Sequence, residues 1–159
     1  MIIEIFGDGL ERRDIANQPR RVSCRGVVLK DERILVVHSD GLDVTTLPGG
    51  GREADESLSA CVEREIREET GEVVRAIAEG CIVIEYFVDS IWETHYFRCE
   101  PTGATVTRAL TVEEREKGCE PSWIGLYDFL ALLEGYESEN PYGANIHERE
   151  LVGLMNTLD

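Results

Sequence analysis

Residues Gly50 to Gly71 read G-G-R-E-A-D-E-S-L-S-A-C-V-E-R-E-I-R-E-E-T-G, a glycine turn running into a helix that carries Arg64, Glu65, Glu68 and Glu69. An α-helix advances about 100° per residue, so residues three and four apart share a face. Counted from Glu65, Leu58, Val62 and Ile66 fall at roughly 20°, 60° and 100°, and Glu69 at about 40°, inside the apolar stripe that faces a core. Glu63 and Arg67 point the opposite way, where an amphipathic helix keeps its charges. Glu65, Glu68 and Glu69 converge, and two of them do so at an azimuth that a merely solvated acidic face would not use.

Ionised carboxylates directed inward are costly, and crowding them within one turn adds repulsion that a cation must offset. Magnesium suits the task, because it takes oxygen ligands, keeps several waters and bridges carboxylates to substrate phosphates. The glycines of Leu47-Pro48-Gly49-Gly50-Gly51 fit the same picture, since they let backbone approach a ligand closely. The candidate metal ligands are Glu65, Glu69 and Glu68, with the Gly50 carbonyl completing the set.

This segment resembles the Nudix box, whose family pattern is G-x5-E-x7-R-E-U-x-E-E-x-G-U, with U a bulky apolar residue. Gly50, Glu56, Arg64, Glu65, Ile66, Glu68, Glu69 and Gly71 each fall in place, and Glu72 alone departs, followed directly by Val73. The resemblance implies an α/β fold, the Nudix α/β/α sandwich with a mixed β-sheet. It also implies hydrolysis of a pyrophosphate bond in a nucleoside diphosphate linked to another moiety, with water attacking phosphorus. Magnesium is the expected cofactor, with manganese as a substitute. On that basis Glu65 and Glu69 are the first ligands, and Glu68 completes the cluster or polarises the water. Arg64 orients a glutamate through a bidentate pair, so Glu68, Glu65 and Arg64 form the catalytic set. Glu56 is either a helix-entry charge or a group that reaches the metal through water. The family borrows a general base from a loop outside the box, and Glu113, Glu114 and Glu116 are the candidates. The competing function is a catalytically inactive Nudix-fold sensor or regulator, which would typically have lost box carboxylates. A purely structural acidic helix fails to explain the inward azimuth of Glu65 and Glu69.

The remaining 137 residues fit one domain over 1–159, of usual size and without a break in composition, an internal repeat or a low-complexity tract. Thirty-two acidic against sixteen basic residues give a net charge of −16, which repels nucleic-acid backbones and anionic membranes. The expected partner is a small phosphorylated nucleotide, which arrives with its own cation, and the family resemblance adds a homodimer. No apolar run is long enough to span a bilayer, and Met1-Ile2-Ile3-Glu4 lacks the basic start of a signal segment, so the expected location is cytoplasmic. Five scattered cysteines without C-x-x-C spacing read as reduced, small core residues.

Ile2–Phe6 reads as a short strand, and Val27-Val28-Leu29 and Ile34-Leu35-Val36-Val37 as a hairpin about Lys30-Asp31-Glu32-Arg33. Val44–Leu47 leads into the glycine turn, Ser57 is the expected N-cap, and Gly71 stops the helix. Ile82–Val88 and Trp92–Cys99 read as a second hairpin, whose second strand alternates Trp92, Thr94 and Tyr96 with Glu93, His95 and Phe97. Glu113–Lys117 reads as a charged connector, Ser122–Leu126 as a strand, and Tyr127–Leu133 and Asn145–Leu158 as helices.

Arg12, Arg13, Arg20 and Arg21 form the dense basic cluster, read as solvated surface or as a contact to substrate phosphate. His95 is a hydrogen-bonded structural histidine or a catalytic one. Tyr86, Phe87, Trp92, Tyr96 and Trp123 are mostly core, with a role in stacking on a base as the alternative. The substrate-binding candidates are thus Arg21, Tyr86 and Glu114. Family members resembling ADP-ribose hydrolases carry a proline about sixteen residues past the box, and those acting on dinucleoside polyphosphates a tyrosine there. This chain has Val88 at that distance, with Tyr86 nearby. A nucleoside triphosphate, a nucleotide sugar, ADP-ribose and a dinucleotide all stay open.

Overall fold

In the computed structural model, which describes residues 1–158, the chain turns back between β2 (Arg20–Lys30) and β3 (Arg33–Ser39) on two residues. Asp31 and Glu32 both take positive φ, 49° and 63°, the left-handed pair that matches the twist of a hairpin. Neither is glycine, and the Leu126 N–H to Glu32 carbonyl bond of 3.1 Å helps hold the turn. The register pairs Leu29 with Ile34 and Lys30 with Arg33.

Strand β2 is the hub of the sheet. It runs parallel to β7 (Ile91–Thr105) and antiparallel to β3 and to β5 (Gly49–Gly51). Beyond β7 lie β6 (Glu72–Tyr86), antiparallel to it, and β1 (Ile2–Phe6), parallel to β6. On the other side β3 carries β4 (Val44–Thr46) and β8 (Cys119–Gly125), both antiparallel. The main path reads β1-β6-β7-β2-β3-β4, a mixed sheet.

Because alternate strand residues face opposite ways, the sheet supplies two cores. Val28, Leu35 and Phe97 pack with Cys61, Val62 and Ile66 of α1 (Leu58–Thr70) on one face. Val27, Ile34, Val36 and Tyr96 pack on the other with Phe129 and Leu133 of α3 (Leu126–Gly135) and Leu154 of α4 (Gly143–Leu158). This is the α/β/α sandwich with a mixed sheet that the box implied. All five cysteines are buried and free, as their spacing predicted. Among the described residues no helix is long and apolar enough to cross a membrane.

Three elements differ from expectation. The glycines after Pro48 form strand β5, paired with Ser23, Cys24 and Arg25, rather than an open turn. Strands β6 and β7 run fifteen residues each, well beyond the expected hairpin, and three register shifts between Glu72 and Ile82 break the alternation that would have revealed them. The connector at Glu113–Lys117 is α2 (Val112–Glu116), started by a capping box in which Thr111 and Glu114 exchange side-chain and backbone bonds.

Candidate active site

Helix α1 starts at Ser57, whose hydroxyl accepts the Ala60 N–H at 3.1 Å, and stops at Gly71 with φ 81°. There a Cβ would sit 2.5 Å from the Val106 carbonyl, so glycine is needed twice over. Of the helix residues, Cys61, Val62, Ile66 and Glu69 are buried, so Glu69 does lie in the inward stripe, 7% exposed. Its carboxylate accepts the Gly49 N–H at 2.9 Å. Burial pushes the Glu69 carboxyl up to about 7, against the partial relief of the nearby Arg25 charge and that single N–H. Glu65 is pushed up too, by burial first and with Arg64 opposing. Its carboxylate lies over Gly50, where any Cβ would come within 2.4 Å of Oε2. That close approach is what glycine permits here.

Arg64 holds the cluster together. Its Nε and Nη2 bind the two oxygens of Glu56 at 2.6 and 3.0 Å, so the bidentate pair falls on Glu56. Nη1 reaches Glu65 at 2.7 Å and Glu68 at 3.1 Å, and Nη2 also reaches the Gly51 carbonyl at 3.2 Å. The hydrogen bond from Arg64 holds the Glu56 carboxyl down to about 2, so Glu56 serves chiefly as the partner of Arg64. Of the three acids in α2, Glu114 is half-buried, and its charge raises both Glu65 and Glu69, whereas Glu113 pairs with Lys117 and Glu116 is exposed.

The other candidates divide. Arg21 reaches the box: its Nη2 lies 3.4 Å from where a Cβ on Gly51 would be, and its guanidinium sits 4.9 Å over the Trp92 ring. Arg20 pairs with Glu93, Arg12 with Glu4, and Arg13 with Glu11, so the four arginines do not act as one patch. Tyr86 is buried in a satellite core, stacked on Phe6 at 5.0 Å with its hydroxyl donated to Glu4 at 2.8 Å, and is not brought to the box. His95 lies between Glu79 at 2.5 Å and Glu93 at 2.7 Å, the structural of its two readings.

Sequence reasoning missed Arg25. Its Nη1 donates to the carbonyls of Leu47 and Gly49 at 2.9 and 3.3 Å, and its buried Nε has no partner among the described residues. The available signal was an arginine in mid-strand, between Cys24 and Gly26 of β2.

All the donors gathered here are carboxylate or carbonyl oxygens, the chemistry of a hard divalent cation. Glu69 is a buried acid short of positive partners, and Gly50 clears space for a second, so the donor set fits such an ion. The side-chain arrangement is not yet that of a cage: among the described residues no three His, Cys, Asp or Glu side chains converge on one point. Glu65 and Glu68 turn instead to Arg64.

A sandwich of this topology with an R-E-I-x-E-E helix packed beside its central strand defines a class. A family model of the NUDIX domain matches residues 19–144. The chain belongs to the NUDIX family, the pyrophosphohydrolase class whose box it carries intact but for Glu72. Its fold is similar to that of a NUDIX hydrolase from Nitrosomonas europaea, at 19% identity over 86% of this chain and 90% of that one, with a TM-score of 0.63. It is also similar to the MutT protein from Methanosarcina mazei Go1, at 21% identity, 85% and 95% coverage and a TM-score of 0.59. An ADP-ribose pyrophosphatase from Streptococcus suis 89-1591 follows at 20% identity, 83% and 87% coverage and a TM-score of 0.54. A comparison with curated proteins finds no match.

Proposed function

We propose that this chain, acting as one domain, hydrolyses a pyrophosphate bond in a nucleoside diphosphate linked to another moiety. Glu65, Glu69 and Glu68, with the Gly50 carbonyl, would hold a divalent cation, magnesium in preference to manganese. A divalent ion held by these residues would supply polarisation of phosphate oxygens and a more acidic bound water. Arg64 positions the box in two ways: Nε and Nη2 tie Glu56 to the Gly51 carbonyl, and Nη1 gathers Glu65 and Glu68, which could turn to the ion without disturbing that tie. Glu68, the more exposed of the pair, polarises the attacking water, and Glu114, the α2 acid whose charge reaches Glu65 and Glu69, takes its proton. The water oxygen bonds to phosphorus as the bridging P–O bond breaks and the second phosphate departs.

The observation that carries this reading is Glu69, a carboxylate 7% exposed, with one N–H bonded to it and, among the described residues, no cation in hydrogen-bond contact. Such a group is expensive unless something positive completes it. The net charge of −16 favours a small nucleotide over capped RNA.

The test is a panel of nucleoside triphosphates, nucleotide sugars, ADP-ribose and dinucleoside polyphosphates, with and without magnesium. Metal-dependent release of two phosphorylated products is expected from one class. Saturable nucleotide binding without turnover would replace the enzyme with a sensor.

A further inference from the structure

We propose that the open cavity beside α2, of about 420 Å³, receives the anionic, non-aromatic end of the substrate, with Arg108 and Arg115 as its anion-binding pair. The inference rests on the pyrophosphohydrolase reading and names the substrate class within it. That class is a nucleoside polyphosphate whose chain ends in a further phosphate, in preference to a nucleotide whose second phosphate ends in a neutral sugar.

Position comes first. The segment that carries Arg108 is stitched to the end of the box helix by the Val106 N–H to Gly71 carbonyl bond of 2.7 Å and the Ala109 N–H to Glu68 carbonyl bond of 2.8 Å. The Arg108 side chain lies beside Gly71, its Cγ 3.6 Å from where a Cβ would be. Cys119 lines the cavity and lies close enough to Glu69 and Glu114 for their charges to act on its thiol, after burial the main influence raising it. The cavity and the box carboxylates are therefore neighbours.

Charge comes second. In a chain with twice as many acids as bases, this lining sets two guanidiniums against one carboxylate, Glu120. Arg115 is exposed and its side chain makes no ion pair or hydrogen bond among the described residues. Arg108 is anchored by the Cys119 carbonyl at 3.0 Å, and its contacts to Glu120 are long, 3.4 and 3.5 Å, to a carboxylate whose side chain is 72% exposed. An exposed pair of that kind is weak in water, and an incoming phosphate, with more charge and a better match to the guanidinium fork, displaces it.

Shape comes third. Thr107 and Leu110 complete the walls and no aromatic ring lines them, so a base gains no stacking there. The cavity suits a phosphate or phosphorylated group and leaves the nucleoside outside.

Arg115→Gln tests the proposal, because the side chain is exposed and the fold does not depend on it. Arg75→Gln, an exposed arginine on β6, controls for net charge. The readouts are the ratio of kcat/KM for a nucleoside triphosphate to that for a nucleotide sugar, and the affinity of the metal-free protein for inorganic tripolyphosphate by calorimetry. Arg115→Gln is expected to lower both about tenfold, the ratio through KM, while Arg75→Gln leaves both unchanged. Turnover with an unchanged ratio and unchanged tripolyphosphate affinity would overturn the anion site and leave the hydrolase standing. Tripolyphosphate binding that depends on Arg115, in a protein that turns over nothing, would support the site and overturn the hydrolase.

Discussion

Two helices, on opposite faces of the sheet, bring a buried glutamate to the same short segment, Leu47-Pro48-Gly49. From α4, Glu150 accepts the Leu47 N–H at 2.7 Å; from α1, Glu69 accepts the Gly49 N–H at 2.9 Å. Beyond that shared role they part. Glu150 is fully buried and completed by the Tyr96 hydroxyl at 3.0 Å and by Nε and Nη2 of Arg149 at 3.1 and 3.0 Å. Among the described residues Glu69 has one N–H bonded to it and no bonded cation, the Arg25 charge giving partial relief without contact. Burial of an acid is therefore no sign of function by itself. A closed network such as that of Glu150 holds a fold, and an incomplete one such as that of Glu69 leaves room for a ligand.

Matched substitutions should separate the two most sharply. Glu150→Gln leaves Arg149 buried with, among the described residues, Glu85 at 3.4 Å as its one remaining charged partner. The expected cost is about 3 kcal/mol, the low end for breaking a buried pair. For a chain of this size that lowers Tm by roughly 6–12 °C. A loss of less than about 1 kcal/mol in urea unfolding would show that the α4 network is dispensable.

Glu69→Gln should do the reverse. It removes a buried charge with little to balance it, so the metal-free protein keeps or gains thermal stability. Magnesium-dependent kcat/KM should fall at least about 100-fold. Retention of full magnesium-dependent hydrolysis would remove Glu69 from the site.

The same contrast explains what the sequence disclosed. The inward azimuth of Glu69 on α1 was legible because Leu58, Val62 and Ile66 flank it at helical spacing. Glu150 carried the same signal, since Ile146 and Leu154 lie one turn before and after it on α4, yet it went unread for want of a motif around it. Arg25 and Glu114 were brought to the box by strand pairing and by packing of α2, which local periodicity does not encode. The bidentate pair expected of Arg64 is present, and what the sequence left open was which glutamate it grips: the entry to the helix delivers Glu56. The long strands β6 and β7 were half hidden because their bulges interrupt the period of two. The sandwich itself was implied by the box resemblance, and the strand and helix pattern agreed with it.

Arg64 lets the comparison be refined within the box. Arg64→Lys keeps the charge but cannot grip both oxygens of Glu56 while also reaching Glu65 and the Gly51 carbonyl. As a positioning residue, its replacement should raise the magnesium concentration for half-maximal activity about tenfold, with a smaller effect on Tm than Glu150→Gln. A large fall in Tm with unchanged magnesium dependence would instead make Arg64 a structural clamp, like Arg149.

The smallest expected effect concerns pH and falls on the α4 side. His147 is 2% exposed, its Nε2 accepts the Thr45 N–H at 3.3 Å, and burial holds its pKa below the ordinary value, against the opposing pull of the Glu150 charge. The folded protein thus keeps His147 neutral at a pH where the unfolded chain, near the usual value of about 6.5, already binds a proton. The stability this supplies is complete above that value and is lost as pH falls through the lower, folded one. Protonation also removes the lone pair that Thr45 uses. Wild-type Tm should therefore decline by a few degrees between neutral and mildly acid pH relative to His147→Gln, whose amide oxygen can accept the same N–H without titrating. Parallel Tm curves for the two proteins would mean that burial of His147 on the α4 side of the Leu47–Gly49 segment contributes nothing to the acid sensitivity of the fold.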